Sequence, residues 1–216
     1  MAERLTGVPQ GAGGMSANMV RWGGLAGVFA ALMFVVSFII NQLAPVQRTY
    51  DSSSDYLHQV IVLVAYAGVL VAILGLHALQ SPSRRYGQLG AVGSMLTFIG
   101  YSIVFVVSAI STLQGVQTLL TIRLAGGVAA LVGSILLGAM TIRARVVPWW
   151  CGVLLIVAFP LGDFSNAVVR GGEAILMGLL WGSVGYALLR GALHAPQPSS
   201  AASEARPTSE ATGTPR

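Results

Sequence analysis

The groups in this chain that could do chemistry are few: seven carboxylates, three histidines, one cysteine and twelve basic residues, every one of them arginine. Two of the carboxylates share one stretch, Pro160-Leu-Gly-Asp163-Phe-Ser-Asn166-Ala-Val-Val-Arg170-Gly-Gly-Glu173, which lies between two apolar runs. Ionisable groups near membrane depth are costly, so they are candidates for function wherever they persist. A second group stands on one expected helix: Asp55, His58, Gln59 and, three turns after Asp55, Tyr66. At about 100° per residue these four fall within about a third of the helix circumference. Arg123 stands apart from both groups, at the start of another apolar run.

Several chemistries are excluded or weakened by the same inventory. Without lysine there is no Schiff-base chemistry with a protein amine. A single Cys151 allows neither an intramolecular disulfide nor a thiolate metal cluster. His58 and His77 lie on one helix about 28 Å apart, too far to clamp one haem. Asp55 and His58 at i, i+3 offer two metal ligands, which is too few for a site. Leu161-Gly162-Asp163 and Tyr50-Asp51 match the motifs of intramembrane aspartyl proteases only in part, because Pro160 replaces the first glycine and Asp51 lies in a loop. Gly182-Ser183-Val184-Gly185 has its serine in the wrong place for an intramembrane serine protease. Neither a phosphate loop nor a dinucleotide fingerprint is present. No catalytic residue, metal or cofactor is therefore expected.

These residues are set in an overwhelmingly apolar chain. Charged residues make up 9% of the 216 and apolar ones 55%, with a mean hydropathy of +0.76. A soluble domain carries about 25% charged residues, so the composition indicates an integral membrane protein. Six runs, at about 22–43, 57–79, 88–113, 119–142, 147–167 and 172–189, approach or exceed the ~20 residues that cross a bilayer as a helix. They are continuously apolar rather than alternating, which argues against strands. The expectation is an all-α polytopic bundle of six transmembrane helices over 20–190. A flexible segment (1–19) precedes it, and a disordered Pro/Ser/Ala/Thr-rich cytoplasmic tail (191–216) follows. Arg21 directly precedes the first run, which reads as a retained anchor in the bacterial plasma membrane.

Arginine placement sets the orientation. With the N-terminus inside, Arg21, Arg84, Arg85, Arg143, Arg145 and Arg190 fall on the cytoplasmic side, against Arg48, Arg123 and Arg170 outside. The positive-inside rule then places both termini in the cytoplasm, and the net charge of +5 needs no nucleic-acid partner. Small residues four apart (Gly23/Gly27, Gly90/Ser94, Gly126/Ala130, Gly178/Gly182) fit close helix packing within the chain, or a face for a second copy or a membrane partner.

Polar residues gather toward the outer ends of the spans. Helix one ends with Ser37, Asn41 and Gln42, and helix two opens with Ser52-Ser-Ser-Asp55, the spacing of a capping box. Arg123 opposes both the positive-inside rule and the dipole at its helix N-terminus, so a carboxylate partner is expected. Glu173 and Arg170 suit the helix ends on which they stand. Asp163 has no such role, and Pro160 should leave the Ile156 carbonyl without its donor. The expectation is that helix five unwinds around 160–163 and turns Asp163 toward Arg123.

In outline, the opening Arg21-Trp-Gly-Gly-Leu-Ala-Gly27 and the Arg-punctuated inner loops resemble small six-helix membrane proteins of high-GC bacteria that have no assigned activity. That resemblance spans residues 20–190 and implies a fold and a compartment, but no function. The functional reading is an outward-facing polar pocket that binds or passes a small solute or proton. Asp55, His58, Arg123, Asp163 and Glu173 would form it, with Tyr66 and Asn166 as secondary lining. The alternative is a structural or accessory subunit of a membrane complex, and an intramembrane enzyme ranks third.

Overall fold

In the computed structural model, residues 12–44, 50, 52–115 and 119–193 are described, apart from the side chains of 12–16, Asp163, Ala167, Ala192 and Leu193. The segments 1–11 and 194–216, most of the two expected terminal regions, lie outside the described residues. Six helices form among those described: α1 (Ala12–Leu43), α2 (Ser53–Gln80), α3 (Gly87–Gln114), α4 (Leu120–Ala144), α5 (Trp149–Val168) and α6 (Gly172–Leu193). Five of them contain stretches long and apolar enough to cross a membrane: Ala17–Leu43, Ser53–Gln80, Gly87–Gln114, Leu120–Ala144 and Gly172–Gly191. The apolar part of α5 is shorter, Trp149–Gly162.

Local chemistry sets the boundaries. The capping box at α2 forms: the Ser52 hydroxyl accepts from the Asp55 N–H at 3.3 Å, and the Ser52 N–H donates to Asp55 Oδ2 at 3.1 Å. The reciprocal pair satisfies two donors that a helix start leaves orphaned. Between α5 and α6 the chain reverses through Gly171 at φ +74°, where a Cβ would be strained. That reversal sets Asn166, at the end of α5, against Glu173, in the first turn of α6.

One expectation is corrected: α5 does not unwind at 160–163 but runs unbroken through Pro160 to Val168. Proline removes a single N–H donor, a loss that long apolar helices tolerate without breaking. The Ser165 hydroxyl meanwhile donates to the Gly162 carbonyl at 2.8 Å, within the next turn. α1 itself starts at Ala12, ahead of the apolar run that opens near residue 22.

The helices close into a ring in chain order, α6 returning to α1, with α2 and α6 also touching across the middle. Neighbours run antiparallel, as the register of their contacts shows. Gly23 packs on Gly75 and Gly68 on Ala30; Gly24 packs on Leu189 and Gly178 on Ala31. The start of α1 and the end of α6 therefore share one end of the bundle, here called the proximal end. The distal end holds the α1–α2, α3–α4 and α5–α6 connections.

Small residues permit the close approach. A Cβ on Gly100 would strike the Ala130 backbone, one on Gly133 the Thr97 backbone, and one on Gly138 the Gly152 carbonyl. Three of the four small-residue pairs marked in the sequence (Gly23/Gly27, Gly126/Ala130, Gly178/Gly182) lie at contacts between helices of this chain, while Gly90 and Ser94 pack around the Tyr86 ring. The bundle is apolar outside and partly polar within. Phe29, Leu32, Met95, Leu124, Val128 and Leu179 are exposed, while Gln59, Gln80, Thr97, Ser108, Ser134 and Thr141 are buried. A membrane location follows from such a surface, since water would penalise it and lipid would not.

Candidate functional site

At the distal end a cavity of about 490 Å³ opens between α1, α2, α4 and the α5–α6 turn. α1 contributes Phe34, Ser37, Phe38 and Asn41, successive turns of one face. α2 contributes His58, Gln59, Val62 and Tyr66, spaced to lie on one face as well. Arg123 comes from the first turn of α4, Asn166 from α5, Arg170 and Gly171 from the turn, and Glu173, Ala174 and Met177 from α6.

The cavity gathers five of the seven residues expected to form a pocket: His58, Tyr66, Arg123, Asn166 and Glu173. Asp55 is not among the lining residues. It is buried at the α2 N-terminus, 4% exposed, with Oδ2 also accepting from the Ser52 hydroxyl at 2.7 Å. The Asp163 backbone belongs to α5, but its side chain, and with it the expected Arg123–Asp163 pairing, lies outside the described residues.

His58 is held across the helix interface rather than by its neighbour on α2. Its Nε2 lies 2.9 Å from the Ser37 hydroxyl on α1. Its Nδ1 is buried without a hydrogen-bond partner. A serine and a histidine at that distance are the first two parts of a nucleophile–base pair, which also needs a third group to orient the imidazole. Among the described residues none does so, and Asp55 Oδ2 is turned to Ser52. The wall opposite is tied more firmly. Asn166 Nδ2 donates to Glu173 Oε2 at 3.0 Å, and the Glu173 N–H donates to Asn166 Oδ1 at 3.3 Å. Gln42 donates to the Arg170 carbonyl, fastening the α5–α6 turn to the end of α1.

Beneath the cavity the bundle is closed by stacked aromatics. The Tyr66 ring meets Phe34 edge-on at 5.8 Å and Tyr101 at 6.0 Å, and Tyr101 in turn meets Trp181 at 5.8 Å. Trp181 is fully buried and Tyr101 nearly so, with its hydroxyl donating to Met177 Sδ at 3.6 Å. Such edge-to-face contacts add to the burial of large rings and make a rigid floor.

The sequence reading missed part of this wall. Ser37, Asn41 and Gln59 stood out as polar residues, but nothing in one helix tells which polar group meets which on the next. A polar layer also lies in the proximal half, although polar residues gather toward the outer ends of the spans. Gln80 Nε2 donates to Thr141 Oγ1 at 2.9 Å, joining α2 to α4 in the interior. Nearby, His77 Nδ1 lies 3.1 Å from the Tyr86 hydroxyl, which is 2.5 Å from that of Ser94. Burial pushes the Tyr86 phenol up from its usual range, and the Ser94 hydrogen bond partly opposes that rise. No set of three or more metal-ligating side chains occurs among the described residues. No protein family, curated protein or solved structure matches the chain.

Proposed function

We propose that this chain is a six-span plasma-membrane protein, with both termini in the cytoplasm, whose distal cavity faces outward and takes up a small solute. The observation that carries this reading is the cavity itself. About 490 Å³ of space, lined by the rare ionisable and amide side chains of an apolar bundle, sits at one end of the helices. Small-molecule sites are pockets of about 300–1,000 Å³ with a few placed polar groups in a largely apolar setting. The aromatic floor favours a binding site closed toward the cytoplasm over an open pore. A solute or proton that crosses would need that layer to move.

The six-span topology draws support from α5. Its 20 residues cover about 30 Å at 1.5 Å per residue, the thickness of the hydrocarbon core. It runs antiparallel to α4 and α6: Gly152 meets Gly138 near one end, and Gly162 meets Glu173 near the other. Orientation draws support from Arg84, Arg85, Arg143, Arg145 and Arg190, which end or connect helices proximally. The alternative, an accessory subunit docking through small residues, has less support. Gly23, Gly27, Gly126, Gly178 and Gly182 already face other helices of the chain.

The test uses the near absence of cysteine. Cys151 is buried, so Ala174→Cys can be labelled in intact cells with a membrane-impermeant maleimide. Labelling from outside is expected, while Ser83→Cys in the α2–α3 connection should react only after permeabilisation. An Ala174→Cys protein inert in both conditions would mean a closed, dry site and would overturn the reading.

A further inference from the structure

We infer that the ligand of this cavity is a small organic monocarboxylate, with its anionic end held by Arg123 and Tyr66 and its apolar body lying against Phe34 and Met177. This rests on the reading that the cavity takes up a solute, and it names the solute's class. Three observations carry it.

The first is a pair of largely buried side chains whose polar groups open on the cavity. Tyr66 and Gln59 are 9% and 7% exposed, both line the cavity, and among the described residues neither side chain makes a hydrogen bond. The fully buried polar atom without a partner at this site is His58 Nδ1; the Tyr66 and Gln59 groups instead reach the cavity space, where water or a ligand can pair them. Side chains on a helix lean toward its N-terminus, and α2 begins at the distal end, so the Tyr66 hydroxyl reaches up from the floor into the cavity. Gln59 stands two turns nearer the mouth on the same face.

The second is the kind of group offered. A tyrosine hydroxyl and an amide can both donate, and a guanidinium can only donate. Arg123 lines the same cavity. Its guanidinium makes no ion pair or hydrogen bond to another described residue. By contrast, the carboxylate of Glu173 already accepts from Asn166. Among the described residues the Arg123 guanidinium offers donors alone, and a planar carboxylate matches its fork.

The third is charge and shape. Arg123 and Arg170 against Glu173 leave one net positive charge among the described lining groups, which suits one negative charge better than two. The aromatic and thioether surface beside them favours an organic body over a hydrated inorganic anion.

The experiment follows thermal unfolding of the full-length protein in neutral detergent, titrated with 3-phenylpropanoate, its amide, 3-phenylpropylamine and inorganic phosphate. A saturable rise in Tm with the carboxylate, and little or none with the other three, is expected. Arg123→Gln should weaken carboxylate affinity at least about tenfold, the loss of one charge-assisted hydrogen bond. Tyr66→Phe, which keeps the ring in place, should weaken it severalfold. Equal shifts from amide and carboxylate, a preference for the amine or for phosphate, or undiminished affinity in both variants would each overturn the assignment. The wild-type series decides the matter even if Arg123→Gln does not fold. Should Ala174→Cys be labelled from outside while no carboxylate shifts Tm, the ligand class falls and the open cavity stands. An unlabelled Ala174→Cys removes both.

Discussion

The ring and the hydroxyl of Tyr66 serve different ends. The ring packs edge-on against Phe34 and tilted against Tyr101 and holds the floor of the cavity, while the hydroxyl makes no bond within the described protein. Tyr66→Phe should therefore unfold within about 0.5 kcal/mol of wild type, as for a change that removes no protein contact; a scan of ligand-free protein checks this. Gln80 and Thr141 present the opposite case, because each is the other's partner in the interior, both 0% exposed. Gln80→Leu leaves the threonine hydroxyl unpaired and should cost about 1–3 kcal/mol. Adding Thr141→Val should recover much of that loss, since no orphaned polar group remains. Reversible denaturation of the two single variants and the double variant measures the coupling, and simple additivity would count against a shared bond.

At the scale of helices, glycines set the spacing, and their effects can be told apart by position. Gly100 lies where a methyl group would meet the Ala130 backbone, with no side chain able to swing aside. Gly100→Ala should force α3 from α4 and cost about 1–3 kcal/mol, the usual penalty of overpacking. Gly127, one residue beyond the Gly126 that faces Ile103, meets nothing within 4 Å. Gly127→Ala should raise stability by up to about 1 kcal/mol through helix propensity alone. Paired melting curves of the two variants test whether α3–α4 packing, rather than glycine content, governs the bundle. The continuity of α5 belongs to this scale as well. A proline predicts a break from one residue's chemistry, but the neighbouring turns and helices decide whether the break occurs.

For the whole molecule, the alternating ring returns α6 to the end at which α1 began. If α5 crosses the membrane with the others, both termini lie on one side. A five-crossing chain would instead put them on opposite sides, against the end that α1 and α6 share. Fusing a fluorescent protein that matures only in the cytoplasm to each terminus in turn should give signal from both. A periplasm-dependent phosphatase at the same positions should stay inactive. Phosphatase activity at one terminus alone would reduce the topology to five crossings.

The sequence by itself determined the elements. Long unbroken apolar runs cannot satisfy their backbone in lipid except as helices, so the all-helical architecture and nearly every helix position were legible, as was the capping box from Ser52 to Asp55. Polar residues with nothing to do in lipid were legible as a group too, and five of the seven chosen line one cavity. Their partners were not legible. His58 bonds to Ser37, twenty-one residues away on another helix, rather than to Asp55 one turn before it. Gln80 finds Thr141 across sixty-one residues. Periodicity places a side chain on a face, but which faces meet is decided by the ring, by the glycines that let its members approach, and by the turn at Gly171 that brings Glu173 to Asn166. Only that tertiary arrangement separates Asp55, bonded to Ser52 at its own helix end, from Tyr66 and Gln59, which line the distal cavity.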